Sequence, residues 1–313
     1  MHNIEIAALK ARHDLSAIIG RDVRLKRSSH ELVGLCPFHE EKTPSFRVND
    51  TKGLFHCFGC GASGDIIDYI RWRHGLEFVD ALQWLDSGVT ATTDAPARER
   101  RRQDEDLARV EAIAAAQAQW AAARSIKGTP AEFYLRSRGI TEPPPPTIRF
   151  GRTPLWRNPN GGNGPLLPAL IAACEDIAGT VVGLQRIFLT NDGSKAAMKN
   201  PKLSLGQVRG CALRLGPVAS EIVLCEGPED GLTLRQRFPG ASVWVSLGTG
   251  NLPFVELPAA VETVVIAGDN NAAGYAAAEF AGHTFTDQGR GVTMLFPGSV
   301  YKDWNDELMD KRL

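Results

Sequence analysis

Four short apolar runs in the last third of this 313-residue chain, three of them stopping at acids, constrain the fold more than any other feature. Glu221-Ile-Val-Leu-Cys225 runs into Glu226-Gly227, and Ser242-Val-Trp-Val-Ser246 into Leu247-Gly248-Thr249-Gly250. Thr263-Val-Val-Ile-Ala-Gly268 runs into Asp269-Asn270-Asn271, and Gly291-Val-Thr-Met-Leu-Phe296 leads to Lys302-Asp303-Trp304-Asn305-Asp306. Helix-like segments lie between them, near residues 230–238 and 274–282. Continuous apolar strands alternating with helices predict a parallel sheet covered on both faces. Ligands of such sheets sit beyond the carboxyl ends of the strands. The acids Glu226, Asp269 and Asp303 with Asp306 would meet there. Carboxylates at one edge repel unless a cation sits among them. Hard oxygen donors suit Mg²⁺, which keeps several waters and grips substrate phosphates.

Glu226-Gly-Pro-Glu-Asp230, Ser246-Leu-Gly-Thr249, Ala267-Gly-Asp-Asn-Asn-Ala-Ala-Gly274 and Lys302-Asp303 resemble the successive motifs of the Toprim domain. Bacterial-type primases, topoisomerases and some nucleases share that domain. Its pattern is a Glu, then Asp-x-Asp, then a further acidic motif; here the second Asp is Asn271. The resemblance implies Mg²⁺ or Mn²⁺ ligands at Glu226, Asp269, Asn271, Asp303 and Asp306, with Glu226, Asp269 and Asp303 catalytic. Glu226 would serve as ligand or as general base. An amide oxygen coordinates without bringing charge, so Asn271 implies that one of two metals binds weakly. The plainer reading is a Rossmann-like domain with Asp and Asn at helix N-caps.

Six cysteines divide into a cluster and three singletons. Cys36-Pro-Phe-His39 and Cys57-Phe-Gly-Cys60 are separated by 17 residues. Two short knuckles joined by a strand-and-turn segment let four ligands converge tetrahedrally on one structural Zn²⁺. His56 would alternate away from Cys57 on a strand. Cys174, Cys211 and Cys225 sit in apolar contexts and read as core. Cys36-Pro-Phe-His39, Lys42-Thr-Pro-Ser-Phe46, His56-Cys-Phe-Gly-Cys60 and Gly64-Asp65 closely resemble the Cys-His-Cys-Cys zinc ribbon of bacterial and phage DNA primases. That module contacts single-stranded template, so Phe46, Phe55 and Phe58 would stack bases and Arg47, Lys52, Arg71 and Arg73 would meet phosphates. For each aromatic taken alone, packing around the small ribbon core is the favoured role.

The net charge of −1 hides a polarity. Residues 126–217 hold 12 Lys/Arg against 5 Asp/Glu, and residues 218–313 hold 6 against 13. A basic middle attracts phosphates while an acidic end holds metals; two solvated faces attracting one another is the plainer account. In the middle, residues 169–173 and 180–184 read as strands joined by a turn at 176–179. They lead to Gln185-Arg186 and on to Lys195-Ala-Ala-Met-Lys199-Asn-Pro201-Lys202. Primases carry an Arg and a Lys-bearing Asn-Pro segment before Toprim; Arg186, Lys199, Asn200 and Pro201 resemble them, Lys195 fitting in place of Lys199. With Lys202, these would hold nucleotide triphosphate or template. Surface cations on an antiparallel hairpin are the plainer alternative.

Elsewhere, Ile4, Ile6, Leu9, Leu15, Ile18 and Ile19 suggest early helix, and Val23 and Leu25 a strand. Helices are expected over 65–74 and near 78–85, a linker with an Arg-rich run over 87–102, and an Ala-rich helix over 104–124. Thr129 as N-cap, Pro130 and Gly139 bracket a further helix.

The expected architecture is α/β multidomain: an N-terminal zinc ribbon, a mixed α/β basic subdomain and a Rossmann-like Toprim parallel sheet. The expected domains are 1–86 (zinc ribbon), 87–124 (linker and helix), 125–217 (basic part of a polymerase core) and 218–313 (Toprim). The order resembles compact DNA primases of phages, plasmids and integrated elements. It implies template-directed synthesis of RNA primers on single-stranded DNA from ribonucleoside triphosphates, with any helicase acting in trans. No Gly-x4-Gly-Lys-Ser/Thr motif occurs, so an ATP-driven motor is not expected. No apolar run has membrane-spanning length and no signal peptide is evident, so a cytoplasmic, membrane-free protein is expected. A non-catalytic zinc/Toprim DNA-binding replication or recombination factor is the alternative, favoured by Asn271. A Toprim nuclease or topoisomerase-like enzyme ranks last: none of Tyr69, Tyr134, Tyr275 and Tyr301 lies in a separate nucleophile-bearing domain.

Overall fold

A computed structural model describes residues 6, 9–28, 31–60, 62–76, 78–87, 95–156 and 162–312, with only the backbone of a few residues near 100. Ile4, and residues 88–94 of the expected linker, lie outside these. The chain divides into two compact units, Met1–Leu107 and Ala108–Leu313.

In the first unit, α1 (Leu15–Ile19) precedes five strands: β1 (Lys26–Ser28), β2 (Glu31–Gly34), β3 (Phe46–Asn49), β4 (Leu54–Cys57) and β5 (Ser63–Gly64). They pair in chain order as an antiparallel meander. The strand expected around Val23 and Leu25 begins only at Lys26, because the chain first turns after α1, with Val23 N–H on Ile19 O. Then come α2 (Ile66–His74) and α3 (Phe78–Ser87). Asp65 caps α2, accepting from the amides of Ile67 and Asp68, while the Asp68 side chain returns to the Asp65 amide. That reciprocal box satisfies donors the helix cannot. Phe46, Phe55, Tyr69, Ile67 and Ile70 are all at most 1% exposed and pack with Leu15, Ile18, Ile19 and Leu85. Phe46 and Phe55 therefore take the favoured packing role rather than meeting bases: both point into the core, and removing either would cost about 3–5 kcal/mol.

The next helix, α4 (Ala95–Ala122), starts inside the stretch expected to be linker. Its Ala, Arg, Glu and Gln content favours helix despite the lost amphipathic period. Then α5 (Pro130–Ser137) begins at the expected Pro130 and ends with Gly139 in the left-handed region, φ 72°.

The second unit carries two sheets. β6 (Ile148–Pro154), β7 (Leu166–Glu175), β8 (Val181–Phe188) and β9 (Lys202–Gly206) form an antiparallel sheet in chain order. Asp176 shapes the β7–β8 turn, its Oδ1 accepting from the Ala178 and Thr180 amides. β10 (Leu213–Arg214), β11 (Glu221–Cys225), β12 (Val243–Val245), β13 (Thr263–Ala267) and β14 (Gly291–Leu295) form a sheet ordered β10-β12-β11-β13-β14. The last four are parallel, as the apolar runs required, and β10 is an antiparallel edge. Between them run α6 (Pro228–Arg237), α7 (Ala272–Asp287) and, at the end, α8 (Trp304–Leu308).

Alternation along β11 explains the unbroken hydrophobicity. Val223 and Cys225 join a core shared with Leu170, Ala172 and Ile187 of the antiparallel sheet. Ile222 and Leu224 face the other way, onto Trp244, Ile266, Ala281 and Phe285. Cys174, Cys211 and Cys225 are buried, as expected. Among the described residues no helix is long and apolar enough to cross a membrane.

Candidate metal centres and acidic edge

Cys36, His39, Cys57 and Cys60 bring their ligand atoms within 4.8 Å of one another. Zinc–sulfur bonds of about 2.3 Å at tetrahedral angles place two sulfurs roughly 3.8 Å apart. Cys36 Sγ and Cys60 Sγ stand 3.8 Å apart, and Cys57 Sγ lies 3.8 Å from His39 Nδ1. Donor set and spacing both fit zinc. His56 is outside the group and packs edge-on against Phe58.

A residue the sequence reading passed over organises this centre. Glu41 accepts from the Cys36 amide at 2.7 Å, the Ser45 amide at 3.1 Å and the Ser45 hydroxyl at 2.5 Å. It also lies 3.4 Å from His39 Nε2, so the ring presents Nδ1 to the ligand group. Burial works against the Glu41 charge, but the Ser45 and Cys36 donors prevail and hold its pKa below the usual range. Burial likewise opposes a Cys57 thiolate, yet the Ser45 hydroxyl and the Cys60 and Gly59 amides hold its pKa down. Gly59 allows the close approach: a Cβ there would meet His39 Nε2 at 2.6 Å.

On the outer side of the ribbon, Phe58 is 68% exposed, with the Arg47 guanidinium 5.6 Å from its ring centre. Arg47 also reaches Glu31 at 3.4 Å. Lys52 is exposed, Arg71 half-buried, and Arg73 pairs with Asp22.

In the second unit the parallel register levels the strand ends: Cys225 pairs with Ala267, and Ala267 with Leu295. Glu226 and Asp269 therefore leave the sheet side by side. Asp269 is pushed up to about 7, first by burial, then by the charges of Glu226 and Asp303. Its Oδ1 is buried with no hydrogen-bond partner. An orphaned, charge-crowded carboxylate oxygen fits a divalent cation there. Gly274 makes room, since a Cβ there would meet the Asp269 carbonyl oxygen at 2.5 Å. Among the described residues only the Cys/His group closes within 4.8 Å, so these acids stand further apart. That spread suits an ion that keeps water between itself and some ligands.

Asp303 arrives on a loop. The Asn270 amide nitrogen donates to the carbonyls of Pro297, Gly298 and Tyr301 at 2.9–3.0 Å, and the Asn270 backbone N–H to Lys302 O at 2.8 Å. Asp303 caps α8 through the Asp306 amide, 2.8 Å away. Asn271 caps α7, its Oδ1 accepting from Gly274 N–H at 2.9 Å. The capping reading is thus part of the truth at Asp303 and Asn271, while Glu226 and Asp269 cap nothing.

Two acids beyond the expected set belong to this edge. Asp230 is 8% exposed and accepts from the Asn305 amide at 3.0 Å. Burial, then Asp303 and Asp269, raise its pKa well above the ordinary value. Glu229, 4% exposed, accepts from the Tyr134 hydroxyl at 2.6 Å and pairs with Lys195 and Lys202 at 3.0 Å each. Both follow Glu226 in one motif, which is the only signal the sequence offered. Of the other residues expected to bind nucleotide or DNA, Lys199 and Asn200 are exposed. Arg186 is 5% exposed on β8, its guanidinium donating to the carbonyls of Pro154 and Ser204. Its charge is taken up by the protein's own backbone rather than turned to solvent, contrary to the expectation of a phosphate contact.

Fold and site together define a protein that joins a Cys₃His zinc ribbon to a parallel sheet edged with acids. Residues 1–101 match the CHC2 zinc finger family, 110–215 a domain family of unknown function (DUF7146) and 221–312 the Toprim domain. In its zinc ribbon and Toprim domain the chain is similar to DnaG-type primases. It is 38% identical over 136 residues to the DNA primase of Lactococcus lactis, covering 43% of this chain and 21% of that protein. It is 39% identical over 138 residues to the DNA primase of Deinococcus radiodurans, covering 44% and 23%. The matches thus span about a quarter of those relatives. The zinc-binding and RNA polymerase domains of the Aquifex aeolicus primase align over 97% of this chain and 82% of that one, at 19% identity and a TM-score of 0.44.

Proposed function

We infer that the chain is a primase, adding ribonucleotides to one another on a single-stranded DNA template. The observation that carries this reading is the acidic edge itself: Asp269, raised by burial and by the charges of Glu226 and Asp303, has a buried oxygen without a hydrogen-bond partner, and the charges of Lys302 and Lys202 act on it from the same unit. Acids without cations would serve metal binding alone. Lysines reaching the same acids add a place for a triphosphate.

Glu226, Asp269 and Asp303 are the carboxylates that would hold Mg²⁺ or Mn²⁺, with Asp306 and the Asn271 oxygen beside them. When bound, the ion supplies Lewis acidity toward phosphate oxygens and toward the hydroxyl that attacks. Lys202 and Lys195, with Lys302, take phosphate oxygens. On the zinc ribbon, Phe58 offers a face for a template base and Arg47 a cation for its phosphate. Zinc fixes the knuckles and takes no part in the reaction.

One observation favours the second reading, a DNA-binding factor without catalysis: Asn271 brings no charge where the Toprim pattern has an acid, and its oxygen is already engaged as a cap. Primer synthesis decides. The protein, mixed-sequence single-stranded DNA, labelled ribonucleotides and Mg²⁺ or Mn²⁺ are expected to give short RNA products, lost in Glu226→Gln and Asp269→Asn while DNA binding persists. Wild-type protein that makes no primer with either metal, with or without a helicase, refutes the reading.

A further inference from the structure

The mechanism above leaves Glu229 unused. It stands in the first turn of α6, three residues after Glu226 and next to Asp230. Its two oxygens hold two amines: Lys195 on Oε1 and Lys202 on Oε2. Tyr134, from α5, donates to the same carboxylate, and the Lys195 ammonium lies 5.5 Å from the Tyr134 ring centre. A buried carboxylate persists only when paired and hydrogen-bonded, which this one is. One anion against two cations leaves a surplus positive charge, and both lysine side chains remain about a third exposed, at 35% and 37%.

The surplus faces the acidic edge. Burial works against the Lys202 charge, but Glu229, then Asp230 and Glu226, raise its pKa. Lys202 in turn counters the crowding at Asp269. Lys195 lies before β9 and Lys202 opens it, so free in water their long stems would point independently. A single carboxylate gripping both sets their separation and ties it to the chain segment that carries Glu226.

We propose that Glu229 is the positioning residue for the polyphosphate of the incoming nucleotide: its carboxylate, oriented by Tyr134, holds Lys195 and Lys202 as a fixed pair whose open sides take phosphate oxygens at the acidic edge. This rests on the primase reading. Its physical advantage is preorganisation, since the rotamer freedom of two lysines is lost at folding rather than at binding. A staple that merely joins α6 to β9 would affect stability without singling out nucleotides.

The test uses the full chain with Glu229→Gln, Tyr134→Phe and Lys202→Met. Binding of Mg-ATP is measured by calorimetry from pH 6.5 to 9, beside affinity for single-stranded DNA and kcat and KM in primer synthesis. Glu229→Gln is expected to weaken ATP binding and raise KM about tenfold, and Tyr134→Phe about threefold, with kcat and DNA affinity within about twofold. In Glu229→Gln the ATP affinity falls further toward pH 9, because Lys202, having lost its carboxylate partner and keeping only the more distant Asp230, Glu226 and Asp269, gives up its proton sooner; wild type is flat there. Folded Glu229→Gln that binds ATP like wild type across this range overturns the proposal. So does an ATP loss that merely follows thermal stability across the variants. If Glu229→Gln does not fold, Tyr134→Phe decides: unchanged ATP affinity overturns, a loss confined to ATP supports. Glu229-dependent ATP binding in a protein that makes no primer supports the positioning role and refutes the primase reading. Primer synthesis indifferent to Glu229→Gln does the reverse.

Discussion

Replacing Asp269 by Asn should stabilise the protein when divalent cations are absent, and do so only above mildly acidic pH. The Asp269 carboxyl is enclosed beside Glu226 and Asp303, which moves its pKa from the ordinary 3.8 to about 7. A carboxyl that holds its proton more tightly folded than unfolded adds stability in the protonated form. That contribution is complete below about pH 4 and is lost as pH rises through 7. At about 1.4 kcal/mol per pH unit the full shift corresponds to roughly 4 kcal/mol. Partial exposure and screening reduce it to about 2 kcal/mol. Asn keeps the shape without the charge. Calorimetry in buffer free of added Mg²⁺ should therefore show Asp269→Asn more stable than wild type at pH 8, by about 2 kcal/mol, and level with it at pH 4.5. Added Mg²⁺ should raise the wild-type melting temperature at pH 8 and leave the variant unmoved. A substitution that destabilises equally at both pH values, or a variant that still responds to Mg²⁺ like wild type, refutes the reasoning: Asp269 would then be a structural residue and not a charge awaiting an ion.

One zinc per chain is expected from metal analysis, lost in Cys57→Ser together with the fold of the first unit. Glu41→Gln, which leaves all four ligands, should weaken zinc binding about 10–100-fold in a chelator competition. Phe58→Ala should weaken single-stranded DNA binding by about 1–3 kcal/mol in a titration, without changing stability, since the ring packs on little but Arg47 and His56. Arg186→Ala should instead lower stability by about 2–4 kcal/mol in urea unfolding, leaving the salt dependence of DNA binding intact. Asn271→Asp keeps the α7 cap and adds the missing charge; the Mg²⁺ concentration for half-maximal primer synthesis should fall severalfold.

What could be read from the sequence follows from where the determinants lie. The zinc ligands declared themselves by spacing, because short knuckles need only local geometry. Strands β11, β12 and β13 were legible because both faces of a central strand are buried, giving unbroken apolar runs such as Ile222 to Cys225, whereas β14 is a mostly exposed edge strand legible from its composition. β6 and β9 were not, since Gly151 and Pro154 interrupt one and the other is only half-buried. β10 has two residues and owes its place to pairing with β12 and to the Glu175–Ala212 bridge that ties it to the end of β7. Charge is visible in a sequence but direction is not, hence Arg186 read as a phosphate contact while its strand turns it inward. Glu229 was hidden for a different reason. Its partners lie 27, 34 and 95 residues earlier, and nothing local distinguishes a buried glutamate in a first helical turn from a solvated one.

The amide of Asn270 gives the acidic edge a seam. Glu226 and Asp269 are carried by adjacent paired strands and depart only if the sheet unravels. Asp303 is delivered by a loop that one side chain gathers in, through three carbonyls. Just beyond it Trp304 and Asn305 are buried, and Asn305 donates to the Asp230 carboxylate, the Arg138 carbonyl and the Thr233 hydroxyl, so detaching Asp303 breaks core contacts as well as the Asn270 bonds. The third acid thus reaches the edge through the side chains of Asn270 and Asn305, while the first two are set by strand pairing.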